Sequence, residues 1–244
     1  FFDKALFGLL SRLRTPNQSL AMSRKKFSVI LLVFSLFGCS WFVQAKSIQG
    51  PKRVACVGDS ITFGAAIKDR AKNCYPAQLG RMLGEGWNVR NFGVNGATLL
   101  KKGDKPYWKQ RAFEQAHAFE PEVVVIKLGT NDSKPQNWKH KSEYVADYLD
   151  LIEGFRKLES KPQVFLCYPV PAYPGRWGIT DKVMKEEVMP RLDEVANKSG
   201  CKVIDLYSAL SDKKSMFPDR VHPNAAGATV IAEAVDAALS GKKK

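Results

Sequence analysis

The chain has 244 residues, 38 Lys plus Arg against 24 Asp plus Glu, a formal net charge of +14 at pH 7, and 45% hydrophobic residues. Its basic excess is scattered apart from Lys101, Lys102 and Lys105 in one loop and Lys242 to Lys244 at the end. With no basic helix face and no nucleic-acid motif, it reads as a solvated surface rather than a nucleic-acid binder; attraction to anionic polymers or surfaces stays open.

In chain order, residues 1–21 precede the first plausible start, Met22, and read as upstream or leader sequence outside the fold. Met22 is followed by the basic Arg24, Lys25 and Lys26, then by the apolar run from Phe27 to Phe37, then by Val43-Gln44-Ala45. A basic end, a short apolar centre and a small-x-small site are the anatomy of a secretory signal peptide over residues 22–45. A transmembrane anchor is the competing reading, and Ser35, Gly38, Cys39 and Ser40 interrupt the apolar stretch it would need. Lipid attachment at Cys39 is a third, with Phe37 a poor residue in such a motif. The expectation is export, to the periplasm or outside the cell, with no stable membrane insertion after leader cleavage.

Residues 46–244 then form one domain of about 199 residues, enough for a full core, with a charge of about +9. Its four cysteines, Cys56, Cys74, Cys167 and Cys201, match no zinc spacing. Disulfides and buried free thiols account for them equally well.

Strand-like runs are predicted at Arg53 to Val57, Trp87 to Phe92, Val123 to Leu128, Val164 to Val170 and Lys202 to Leu206. Helices are predicted at Pro76 to Leu83, Trp108 to Phe119, Glu143 to Leu158, Lys182 to Lys198 and Asn224 to Leu239. Tyr144, Val145, Tyr148, Leu151, Ile152 and Phe155 recur at helical spacing. Val123-Val124-Val125-Ile126 is the unbroken β-branched run of a strand covered on both faces. Alternating strands and helices predict an α/β fold: a parallel sheet with helices on both sides. Right-handed crossovers place the carboxyl ends of all strands on one edge, so chemistry is expected in the segments that follow them.

Those segments are Gly58-Asp59-Ser60-Ile61, Gly93 to Thr98, Gly129-Thr130-Asn131-Asp132, and Phe217 to Asn224 before the last helix. A serine hydroxyl needs an adjacent base to become a nucleophile. Of the three histidines, His117 lies within a helix and His140 among lysines, both read as surface or packing residues. His222 is in a loop on the expected edge, with Asp219 three residues before it. That spacing lets the carboxylate reach the ring nitrogen facing away from the serine. Acyl transfer also needs donors for a developing oxyanion, which the Ser60 and Gly96 amides and the Asn131 side chain can supply. Read singly, each of these residues is a turn or a cap.

Together the four segments resemble the blocks of the SGNH/GDSL hydrolase superfamily over about residues 52–240. The resemblance implies a three-layer α/β/α sandwich with a five-stranded sheet in the flavodoxin-like order 2-1-3-4-5. It implies Ser60, Asp219 and His222 as catalytic residues, Ser60, Gly96 and Asn131 as oxyanion hole, Asp59 as structural support, and no metal or cofactor. The stretch Lys134 to Trp138 and the loop Pro171 to Ile179 look similar to bacterial exported esterases, sialate O-acetylesterase-like and acetylxylan-esterase-like. Trp138, Tyr173 and Trp177 are the substrate-binding candidates, with loop packing as the plainer account of each. The expected function is a serine esterase removing O-acetyl groups from a sugar or glycan. The alternatives are a lysophospholipase or thioesterase, and a non-catalytic glycan-binding module, whose mark would be a missing triad member.

Overall fold

A computed structural model of the chain describes residues 50–174 and 176–241. The stretches expected to be a leader (1–21) and a signal peptide (22–45), Cys39 among them, and Lys242 to Lys244 lie outside the described residues. Among the described residues, no helix is long and apolar enough to cross a membrane.

Five strands form one sheet: β1 Lys52–Gly58, β2 Trp87–Gly93, β3 Val123–Lys127, β4 Gln163–Cys167 and β5 Lys202–Ile204. Every pairing is parallel, and the order is β2-β1-β3-β4-β5, as expected. Gly58 pairs with Gly93 on one side and with Lys127 on the other, so three strands end level.

Around the sheet lie α1 Ser60–Phe63, α2 Arg70–Asn73, α3 Tyr75–Leu83, α4 Arg111–Ala118, α5 Pro135–Trp138, α6 Tyr144–Arg156, α7 Asp181–Val183, α8 Met189–Ser199, α9 Leu206–Leu210 and α10 Ala225–Ser240. Side chains alternate across a strand, so β1 feeds two cores. Ala55 and Val57 face a layer built by α4, α6 and α8, with Tyr148, Leu151, Phe155, Leu192 and Val195. Val54 and Cys56 face the opposite layer of α3, α9 and α10, with Tyr75, Leu79, Leu206, Ile231 and Val235. The result is the expected three-layer sandwich. Full burial of a Val, Leu or Ile side chain contributes about 1.5–3 kcal/mol, and β3 is buried along its whole length.

The helix expected from Lys182 to Lys198 is not continuous. A five-residue π turn, Met184–Val188, separates α7 from α8, and the Met189 amide bonds back to the Met184 carbonyl. Pro190 explains it: proline has no amide to give to the carbonyl four residues back, and its ring crowds that carbonyl. The helix expected from Trp108 to Phe119 is likewise a 3-10 turn, Tyr107–Lys109, then α4, because Gln110 is extended between them. The fifth strand stops at Ile204, since Asp205 turns the chain into α9 by accepting from the Ser208 amide at 2.8 Å. The four cysteines are free and buried. His117 packs its ring against Phe113 and Phe155, centroids 4.2 and 4.3 Å apart.

Candidate active site

β1 delivers the nucleophile candidate. At Gly58 a Cβ would lie 2.1 Å from Thr62 Oγ1 and 2.6 Å from the Lys127 carbonyl oxygen, so only glycine fits where the strand turns. Asp59 then caps α1, its Oδ1 accepting from the Ile61 amide at 2.9 Å. This places Ser60 at the first position of α1, just past the sheet edge.

The Ser60 hydroxyl lies 2.7 Å from His222 Nε2. His222 Nδ1 lies 2.7 Å from Asp219 Oδ2. Asp219 Oδ1 accepts from the His222 amide at 2.7 Å and the Val221 amide at 3.0 Å, which fixes the carboxylate in its own turn. Burial raises the Asp219 carboxyl, but the bonds from the His222 amide and ring and from the Val221 amide outweigh it, and the group stays below its ordinary value. An ionised carboxylate only accepts, so Nδ1 carries the proton of the neutral ring and Nε2 is left to accept from Ser60.

Ser60, Gly96, Asn131, Thr130, Trp177 and His222 line one cavity of about 220 Å³, together with Ala65, Asn95, Lys134, Ile179 and Val221. Gly96 has φ +76, a left-handed conformation suited to glycine. Asn131 Nδ2 donates one hydrogen to the Ala97 carbonyl at 3.1 Å, and the amide carries a second. The structure thus brings Ser60, Asp219, His222, Gly96 and Asn131 to one rim.

Trp138 and Tyr173 are not part of that rim. Trp138 is 6% exposed. Its Nε1 donates to Glu187 Oε2 at 2.9 Å and its ring meets Tyr144 edge-on at 5.4 Å. It borders a neighbouring depression instead, beside Pro135 and Gly178. Tyr173 packs on Phe217 at 5.1 Å and donates its hydroxyl to the Leu210 and Ser211 carbonyls. Both rings are engaged in packing, the plainer account given for each above. Trp177 is 50% exposed, with its ring centroid 5.6 Å from that of His222, and the Arg176 guanidinium lies 4.5 Å from the Trp177 centroid.

Two buried residues behind the rim carried no role in the sequence reading. Lys127, at the end of β3, is 1% exposed and its ammonium reaches Asp59 Oδ2 at 3.1 Å and Thr130 Oγ1 at 2.6 Å. Asp132 is wholly buried and accepts from the Leu99 and Leu100 amides at 3.0 and 2.7 Å. Burial pushes its carboxyl up to about 7, against the pull of those two amides. The available signal was a lone lysine closing a run of four β-branched residues. Among the described residues, no group of three or more His, Cys, Asp or Glu is placed to hold a metal ion.

A sheet of this order with its polar cluster on the carboxyl rim is the architecture of an acyl hydrolase family. The model of the GDSL-like lipase/acylhydrolase family matches residues 56–230, and the chain belongs to that family. It is 45% identical over 216 residues to an acetylxylan esterase of Xylanibacter ruminicola, across 80% of this chain and 45% of that protein. The chain therefore spans less than half the length of that relative. Among solved structures it is similar to a protein assigned as an arylesterase from Agrobacterium tumefaciens str. C58, with TM-score 0.64, 25% identity, and 78% and 99% of the two chains covered. A carbohydrate acetylesterase from Sinorhizobium meliloti shares the fold, with TM-score 0.63, 18% identity and the same coverage.

Proposed function

We propose that the chain is a serine esterase that removes O-acetyl groups from a sugar or glycan. One observation carries the reading: Ser60 Oγ, the His222 ring and the Asp219 carboxylate stand in line at 2.7 Å and 2.7 Å. His222 Nε2 takes the Ser60 proton as the oxygen attacks the ester carbonyl, and the resulting imidazolium faces the Asp219 carboxylate. The carbonyl oxygen becomes an oxyanion held by the Ser60 and Gly96 amides and Asn131 Nδ2. Collapse expels the sugar alcohol, which takes the proton from His222. Water, deprotonated by the same ring, then releases acetate and frees Ser60.

The acetyl preference is supported by the cavity. Its volume is about 220 Å³ and its apolar wall is short, made by Ala65, Ile179 and Val221. Such a wall suits a methyl group better than the long acyl chain of a lysophospholipid or thioester. The acetylxylan esterase relative supports the same substrate class. Trp177, open beside His222, is assigned as a face for a pyranose ring. We also propose that residues 22–45 direct export of the domain beginning at Lys46; recovery of the secreted protein with residues 22–45 still attached would overturn that assignment.

The test of the esterase reading is Ser60→Ala with p-nitrophenyl acetate. Turnover should vanish while the melting curve is unchanged, and retained turnover would remove Ser60 as nucleophile. A panel of acetylated xylan, acetylated sialic acid and p-nitrophenyl esters from acetyl to palmitoyl then sets the class. Rates rising with chain length would favour the lipid-type alternative.

A further inference from the structure

β3 is apolar until its last residue, and that residue is a lysine. Desolvating an ammonium and a carboxylate costs several kcal/mol for each ion, and a buried ion pair is commonly no more stabilising than an apolar pair of similar size. Stability alone therefore does not call for Lys127 and Asp59 at 1% and 0% exposure. What the pair does is geometric. The Lys127 ammonium donates to Asp59 Oδ1 at 3.3 Å, to Asp59 Oδ2 at 3.1 Å and to Thr130 Oγ1 at 2.6 Å. An ammonium has three hydrogens, so its capacity is spent on two loops.

One loop carries Ser60: Asp59 immediately precedes it and also accepts from the Ile61 amide at 2.9 Å. The other carries Asn131, which immediately follows Thr130. Asp132 extends the link, since its two oxygens hold the Leu99 and Leu100 amides of the loop that contains Gly96. Three segments far apart in sequence are thus registered through three buried ionisable groups, Lys127, Asp59 and Asp132.

We propose that Lys127 is a positioning residue for the esterase reaction: its ammonium sets the Ser60 amide and the Asn131 side chain at the separation an oxyanion requires. This rests on the roles given above to Ser60 and Asn131. Oxyanion donors act only when they are fixed before the charge develops. A change of a few tenths of an ångström between the two loops acts on the transition state and leaves ground-state binding largely alone.

The test uses the double variant Asp59→Asn, Lys127→Met. It removes both charges together, so no unpaired ion is left buried, and the carboxamide oxygen that replaces the carboxylate can still accept from the Ile61 amide. Rates are normalised to serines titrated with a fluorophosphonate. With p-nitrophenyl acetate, kcat should fall about 10- to 100-fold, somewhat less than the loss of a whole oxyanion donor at about 10²- to 10³-fold, with KM within about threefold. Phosphonylation of Ser60 should slow by a similar factor, because the phosphonyl oxygen needs the same donors. A melting temperature near that of the wild type combined with wild-type kcat would overturn the proposal and leave the pair a structural one. If the double variant does not fold, Thr130→Val removes one of the three bonds: a several-fold fall in kcat at unchanged KM supports the proposal, and unchanged kcat overturns it. Failure of the esterase reading itself looks different, since wild-type Ser60 would then not be phosphonylated at all.

Discussion

Asp219→Asn isolates the carboxylate's charge from its shape. In the wild type Asp219 Oδ1 holds the amides of Val221 and His222, and Oδ2 faces His222 Nδ1 at 2.7 Å. Asparagine keeps an oxygen for the two amides, so the turn survives. Its Nδ2 then points hydrogens at the ring nitrogen, which must become an acceptor. The ring proton moves to Nε2, and the nitrogen facing Ser60 loses the lone pair that would take the hydroxyl proton. The imidazolium formed during attack also loses its counter-charge. At 2.7 Å and an effective dielectric of about 20, that attraction is about 6 kcal/mol. The Asp219 side chain is 21% exposed, so water recovers part of it. A remaining loss of about 4 kcal/mol is roughly 10³-fold in rate. Measured at pH 8 with p-nitrophenyl acetate, kcat/KM should fall by about that factor while the variant stays folded. A fall of less than about fivefold would refute the assignment of Asp219 and the tautomer argument with it. The same variant has a pH signature. The folded carboxyl is held below its ordinary value of 3.8, so its contribution to stability is complete above that value and is lost as pH falls through the lower, folded one. The difference in melting temperature between wild type and variant should shrink below about pH 4.

Gly93→Ala should be among the more damaging conservative changes, because a Cβ there would sit 2.2 Å from the Phe63 amide nitrogen and 2.6 Å from the Thr62 carbonyl carbon. Backbone cannot rotate away as a side chain can, so a loss of about 3 kcal/mol is expected in urea unfolding; an unchanged midpoint would show that α1 and β2 are not in contact. The four buried thiols should resist iodoacetamide until the chain is unfolded, and dithiothreitol should leave the melting temperature where it is. Burial pushes the Cys167 thiol up to about 12, and rapid labelling of the native protein would contradict its burial. Trp177→Ala should raise KM severalfold for an acetylated glycan and leave p-nitrophenyl acetate unaffected; equal effects on both substrates would remove it as a sugar platform.

The sheet was legible because its strands are short apolar runs closed by glycine. Gly58, Gly93 and Gly129 end or follow three of them; connection rules put their carboxyl ends on one edge, and the strand order comes from the family resemblance. The rim residues were legible because a turn chemistry that looks ordinary at one site becomes improbable when Ser60, Gly96, Asn131 and Asp219 with His222 all fall after strands or before a helix. The break at Met184–Val188 was not legible, because apolar spacing along Lys182 to Lys198 fits a helix whichever carbonyl each amide chooses. Pro190 was the one warning. Trp138 and Tyr173 were ambiguous for a related reason: an aromatic ring in a connecting segment has the same one-letter appearance whether it faces solvent or packs inward. Lys127 and Asp132 were invisible as partners, since Asp59 lies 68 positions before Lys127 and nothing local announces the pairing.

Ser60 follows the first strand, whereas His222 precedes α10, 162 positions later. All five strands are complete by Ile204. The segment up to Leu210 thus holds every strand of the sheet and the proposed nucleophile, while the proposed base waits on the chain that leads into α10. On the roles proposed for Ser60 and His222, hydrolysis of an ester reports that α10 has docked, which makes a chromogenic ester a gauge of refolding yield.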